Sequence, residues 1–158
     1  IWMLPERYLE RPLWDDVLGL AVTAGQTGRT LFSGMHQAVA ALARSGNHVI
    51  MDHVLVEPAW TEECLDLFSG TSTWLVGIHC QLSTLIEREA SRRNRTPGQA
   101  AAQFPLVHRD MIYDIEVDTS NMNSAECAER IKQRIEAAEP PTAVDLMRRK
   151  QHLNSITD

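Results

Sequence analysis

NHVIMDHVL, residues 47–55, is the stretch on which the fold turns. An uninterrupted Val/Ile/Met run of strand length, bounded by a turn at its start, predicts a β-strand over 48–52 covered on both faces, as in parallel sheets flanked by helices. The run ends on an acid, Asp52, and then on His53. In open parallel sheets ligands bind beyond the carboxyl ends of the strands, so Asp52 stands where chemistry is expected.

The neighbouring segments repeat the alternation that such a sheet needs. Residues 2–10 read as the end of a helical or loop element, and Gly25 to Gly34 (GQTGRTLFSG) as a loop. From Thr30 to Arg44, Leu31, Met35, Val39 and Leu42 recur at helical spacing, with Thr30 as N-cap and Gly46 as the stop. Pro58 opens a second helix over 59–68 that closes near Gly70. TWLVGIHC, 73–80, is a second buried strand. Ser83 is expected to cap the charged helix LIEREASRRNR, and Thr96-Pro97 to open the short helix GQAAAQF. YDIEVDTS, 113–120, is the last strand, followed by the helix SAECAERIKQRIEAAE and the stop Pro140-Pro141. Strands alternating with helices specify an α/β fold with a parallel sheet flanked by helices. The segment after Pro141 reads as a polar or partly helical extension.

Composition narrows the partners. With 158 residues, 44% hydrophobic and 23% charged, the chain is long enough for one domain with a real core. The formal charge of −6 argues against nucleic acid or an anionic membrane as the main partner, because both select basic surfaces. Cys64, Cys80 and Cys127 are dispersed and odd in number, which suggests neither a disulfide framework nor a zinc site and fits a reducing, cytoplasmic setting. No apolar stretch reaches the roughly 20 residues of a membrane span, and the N-terminus lacks a signal-peptide pattern.

Chemistry concentrates in LIEREASRRNRTPGQ. If the helix persists, Arg88, Arg92 and Arg95 share one face at i, i+4 and i+7, and guanidinium forks match phosphate oxygens. Spacing alone favours a solvated helix laced by pairs such as Glu89 with Arg92 or Arg93. Position favours phosphate, since this is a local basic cluster in an acidic chain, placed just after a strand whose end faces the cleft of Asp52. Asp52 has two readings as well, a magnesium anchor or a local cap. His53 reads as a satisfied rim histidine more than as a general base, and His36, His48, His79, His108 and His152 form no metal-binding spacing.

GMHQAVAALARSGNHVIMDHVL, WLVGIHC, REASRRNRTPGQA and VHRDMIYDIEVDTS, in that order, resemble the chloramphenicol phosphotransferase family of small P-loop kinases with a shikimate-kinase-like fold. The resemblance runs from the first helix to Glu139 and is most specific from Gly34 to Leu55. It implies an ATP- and magnesium-dependent transfer of a phosphoryl group to the primary hydroxyl of chloramphenicol, inactivating the antibiotic. A kinase for another hydroxylated small molecule, or a non-catalytic remnant, remains open.

By the same resemblance Asp52 holds magnesium, Arg92 and Arg95 with Arg88 cover the phosphates, and Thr119 and Ser120 lie beside the adenine. Met35, His36, Val54 and Trp60 flank the acceptor cleft. The opening I-W-M-L-P resembles residues just beyond the family's catalytic acid. The chain therefore reads as an incomplete kinase domain over 1–139, lacking the first strand and the P-loop, with a polar tail over 140–158. On that reading this chain alone is inactive, and the strands at 48–52 and 74–80 have unpaired edges that recruit other chains.

Overall fold

The computed structural model describes residues 14–16, 22–92, 97–137 and 139–157. The expected element over 2–10 lies outside them. Two short strands, β1 (Trp14–Asp16) and β2 (Val22–Ala24), pair antiparallel. Neither was anticipated from pattern. The chain then enters α1 (Gln26–Arg44), so the loop expected over 25–34 is helical from Gln26 onward. Gly25 is the N-cap, and Thr30 sits inside the helix with its hydroxyl donating to the Gln26 carbonyl. The glycines do not break it because the helix gains tertiary packing: Phe32 buries against Ala24, Val56 and Trp60. Gly46, at φ 87°, occupies the left-handed region that ends the helix.

The stretch 47–56 is the main correction. It forms neither helix nor strand, and among the described residues the backbone N–H groups of 48–54 donate no backbone hydrogen bond. A ladder needs a neighbour at bonding distance, and apolar composition cannot supply one. Its side chains nonetheless alternate with the period of a strand. Met51, His53 and Leu55 are partly buried, Met51 and Leu55 on the core under α1, while Ile50, Asp52 and Val54 face outward. Ile50 is 98% exposed, so the expected cover on both faces does not exist among the described residues.

Pro58 opens α2 (Pro58–Leu67) as expected. This helix packs on α1 through Trp60 and Cys64, and the Arg44 guanidinium donates to the Leu67 carbonyl at its C-terminus. The parallel sheet is β3 (Val76–His79) beside β4 (Ile115–Asp118), with Val76 opposite Ile115 and His79 opposite Asp118. Both strands are shorter than their apolar runs. Asp114 explains one boundary: one carboxylate oxygen accepts from Leu75 N at 3.0 Å, and the other from Thr142 N and Ala143 N at 2.7 and 2.9 Å. The same carboxylate thus ties the start of the sheet to the N-terminus of α6 (Ala143–Thr157). That last helix packs on α2 through Val144 and Met147 beside Leu65.

Between the strands lie α3 (Leu82–Ala90) and α4 (Gln99–Val107), and after β4 comes α5 (Ser124–Glu136). The N-cap of α3 is Gln81, not Ser83. It stops at Ala90, short of Arg92, so the three-arginine helical face is not formed. Glu89 accepts from Gly98 N and Ala100 N, both at 2.7 Å, and so caps the first turn of α4 from outside. Asn123 and Glu126 cap α5 reciprocally, and that helix closes one face of the sheet, with its Cys127 in one buried cluster with Ile115 and Val117. Among the described residues no helix is long and apolar enough to cross a membrane.

Candidate functional site

The carboxyl ends of β3 and β4 are joined by a hydrogen-bonded loop. Thr119 N continues the ladder to the His79 carbonyl at 2.8 Å, and its hydroxyl donates to the same oxygen at 3.0 Å. Ser120 Oγ accepts from Gln81 N at 2.7 Å, fixing the entry to α3. From α3, Arg88 donates Nη1 to Thr119 Oγ1 at 3.1 Å and Nη2 to the Thr119 carbonyl at 2.7 Å. Three residues singled out by sequence, Arg88, Thr119 and Ser120, therefore meet in one group. Arg88 braces the loop in doing so.

Asp118, at the end of β4, is held within that loop. Its oxygens accept from Ser120 N and Asn121 Nδ2, both at 2.8 Å. Hydrogen bonds from Ser120 outweigh burial and, with Asn121 and the nearby His79, hold its carboxyl below the usual range. Behind it, His79 bonds Glu116 at 2.8 Å and lies tilted by 33° against His108, which bonds the Tyr113 hydroxyl at 2.7 Å. Burial, then the charge of Glu116, pushes the Tyr113 phenol up to about 12, so it stays a neutral hydrogen-bonding group.

Asp52 contrasts with Asp118. It is exposed, and among the described residues its carboxylate takes no hydrogen bond and forms no ion pair. Magnesium is bound through one or two carboxylates plus waters and phosphates, and an exposed carboxylate with free lone pairs fits that demand. Arg92 follows α3 with an exposed side chain, while Arg95 lies outside the described residues. No hydrogen bond joins Asp52 to Arg88, Arg92, Thr119 or Ser120.

The residues expected to flank an acceptor gather between α1 and α2. Trp60 is core, against Phe32, and Met35 packs partly buried on the same cluster. Val54 is exposed at the rim. His36 is 0% exposed, with Nδ1 bonding Glu63 Oε2 at 2.7 Å and Nε2 meeting His53 Nε2 at 3.0 Å. Glu63 also accepts from the Ser33 hydroxyl. Burial pushes the Glu63 carboxyl up, but the Ser33 and His36 hydrogen bonds and the His36 charge outweigh it and hold the acid below its ordinary range. Glu63 was not singled out by sequence. The i, i+3 spacing of Ser33 and His36 marks one face of α1, but their common partner sits on another helix.

Comparison with known proteins agrees with this architecture. The family described as chloramphenicol phosphotransferase-like protein matches residues 3–136. Two proteins of Mycobacterium tuberculosis, from strains CDC 1551 and H37Rv and each provisionally named an O-phosphotransferase, are 30% identical over 152 residues. The match covers 92% of this chain and 66% of each relative, so the chain spans just under two thirds of their length. The chain belongs to the chloramphenicol phosphotransferase-like family.

Proposed function

We propose that the protein containing these residues is an ATP- and magnesium-dependent O-phosphotransferase acting on the hydroxyl of a small molecule, with chloramphenicol the first acceptor to test. Family membership supports the reaction class. The observation that carries the site is the contrast between two acids: Asp118 accepts from Ser120 and Asn121 of its own loop, whereas the exposed Asp52 takes no hydrogen bond among the described residues.

Phosphoryl transfer depends on positioning and charge neutralisation more than on covalent help from the protein. Bound magnesium would neutralise charge on the phosphates. Asp52 would hold the ion, directly or through water. Arg92 and Arg95, in the segment between α3 and α4, would cover the phosphates with forked donors, and Arg88 would fix the Thr119–Ser120 loop beside the base. No G-x-x-x-x-G-K-[ST] phosphate cradle occurs in these 158 residues, and on this reading the 158-residue chain alone neither hydrolyses ATP nor transfers from it.

A kinase with another acceptor is the second reading, favoured by the relatives' names, which specify O-phosphotransfer and no acceptor. The test is ADP release and acceptor phosphorylation by the full-length protein with chloramphenicol and with a panel of other small alcohols. Chloramphenicol-dependent ADP release supports the first reading, and release with another alcohol only supports the second. Magnesium-dependent ADP production by the purified 158-residue chain overturns the reading that this chain alone is inactive.

A further inference from the structure

The last turn of α3 directs two consecutive side chains to two different parts of the chain. Arg88 reaches Thr119, while Glu89 reaches the start of α4. Glu89 Oε2 accepts from Gly98 N and Oε1 from Ala100 N, each at 2.7 Å. A backbone N–H can only donate, so the direction of both bonds is fixed, and two such donors hold the carboxylate in one orientation. The demand for it comes from α4. The first N–H groups of a helix have no partner within it and carry the positive end of its dipole. Gly98, the N-cap at φ 92°, has no side chain to offer, and the first turn of α4 contains no acid. Glu89 supplies from α3 what the start of α4 lacks.

The consequence falls on Arg92. α3 ends at Ala90, and Arg92 N donates to the Glu89 carbonyl at 3.0 Å, so the main chain of Glu89 holds the point where the arginine leaves the helix. Its side chain holds residues 98 and 100, where α4 begins. One residue therefore fixes both the exit from α3 and the entry to α4. A chain tied at both ends has fewer conformations than one tied at a single end, and a guanidinium carried near the tie loses less entropy on meeting phosphate oxygens.

We propose that Glu89 is a positioning residue for phosphoryl transfer: by tying α3 to α4 its carboxylate holds the exposed Arg92 guanidinium where it meets the nucleotide's phosphates. The inference rests on the O-phosphotransferase reading above and adds to it the residue that acts through Arg92.

Glu89→Gln, Arg92→Ala and the double variant, all in the full-length protein, form the test. Gln keeps the length and one acceptor oxygen but sets an amide NH2 against the other backbone N–H, so one bond is lost. Glu89→Gln should lower kcat about tenfold while KM for the alcohol stays within roughly twofold. In the Arg92→Ala background the same change should alter kcat by less than about twofold, because the side chain through which Glu89 acts is gone. The loss of melting temperature should be equal in both backgrounds, since the start of α4 is capped whether or not Arg92 is present. Amide hydrogen exchange of the wild-type protein should find the Gly98 and Ala100 N–H groups protected. Unprotected Gly98 and Ala100, or a kcat unchanged in either single variant while transfer proceeds, overturns the proposal alone. Losses in kcat that multiply in the double variant overturn it as well, and leave Glu89 a structural cap. Absence of ATP-dependent transfer to any alcohol by the wild-type full-length protein removes the kinase reading and this proposal with it.

Discussion

Residues 47–54 and 73–79 are two apolar runs of similar composition that meet opposite fates. The second supplies β3, which bonds to β4 along its length and is anchored at one end by Asp114 and at the other by Thr119. The first keeps a strand's alternation of inward and outward side chains yet makes no ladder among the described residues. β-propensity describes fitness for a pleated, half-buried surface, and the partner decides whether the pleat is used. The acid of each half follows suit: Asp118 accepts from Ser120 and Asn121, and Asp52 takes no hydrogen bond among the described residues.

The largest contrast is therefore in turnover. Asp52→Asn in the full-length protein keeps the shape and removes the charge, and should lower turnover by roughly two orders of magnitude or more, partly restored by excess magnesium. Asp118→Asn should act chiefly on melting temperature, because its carboxylate is committed to Ser120 and Asn121. Steady-state kinetics across magnesium concentrations, beside thermal melts, check both. A destabilised Asp52→Asn with normal magnesium dependence would make Asp52 a structural cap and reverse the comparison.

Next in size is the packing of the two runs. Ile115→Ala removes a buried side chain under α5 and should cost ~2–5 kcal/mol in denaturant titrations. Ile50→Ala in the same 158-residue chain should stay within about 0.5 kcal/mol, since the side chain is already in water. The two lengths of protein sharpen this: a cost of ~2 kcal/mol for Ile50→Ala in the full-length protein alone would mean that the run is covered there.

Gly77 measures how tightly the paired half is built. A Cβ at that position would lie 2.6 to 2.9 Å from three atoms of the Tyr113 ring, itself bonded to His108. Gly77→Ala should cost about 1–3 kcal/mol by overpacking. Combining it with Tyr113→Ala, in a double-mutant cycle, should recover much of that cost. No recovery would mean that the penalty lies in the backbone.

The helices were legible where a local signal coincided with the packing: Pro58 opens α2, and the helix expected over SAECAERIKQRIEAAE forms as α5. They were misread where the determining contact was remote. The glycines around Arg29 suggested a loop because the sequence does not show Phe32 reaching Trp60. The arginine face failed for a similar reason, as the helix was read to run past Ala90 while Glu89 turns to cap α4. Arg88 was visible as chemistry, but its bonds to Thr119 span 31 residues. Glu63 was invisible, since a helical face names its own residues and not what packs against them.

The smallest expected effect is an acid sensitivity shared by the two halves. Burial first, then the charge of His36, lowers His53 to about 4 despite the opposing pull of Asp52. In the paired half, burial and His79 lower His108 as well, against weaker pulls from Ile78 and Glu116. A histidine with a depressed folded pKa is held neutral by the fold while the unfolded chain binds its proton, so stability rises with pH through that interval. The sign gives full stability above about 6.5 and, for His53, a loss as pH falls from there towards 4. Glu63 and Asp118, both depressed acids, add their losses at lower pH, beginning below their ordinary carboxylate values. In magnesium-free buffer, His53→Phe should flatten the slope of melting temperature between pH 6.5 and 4 without abolishing it, because His108 still titrates. An unchanged slope would mean that the proton His53 excludes is not excluded by the fold. A slope abolished by that single change would place the whole acid response in the unpaired half and leave the paired half indifferent to pH over this range.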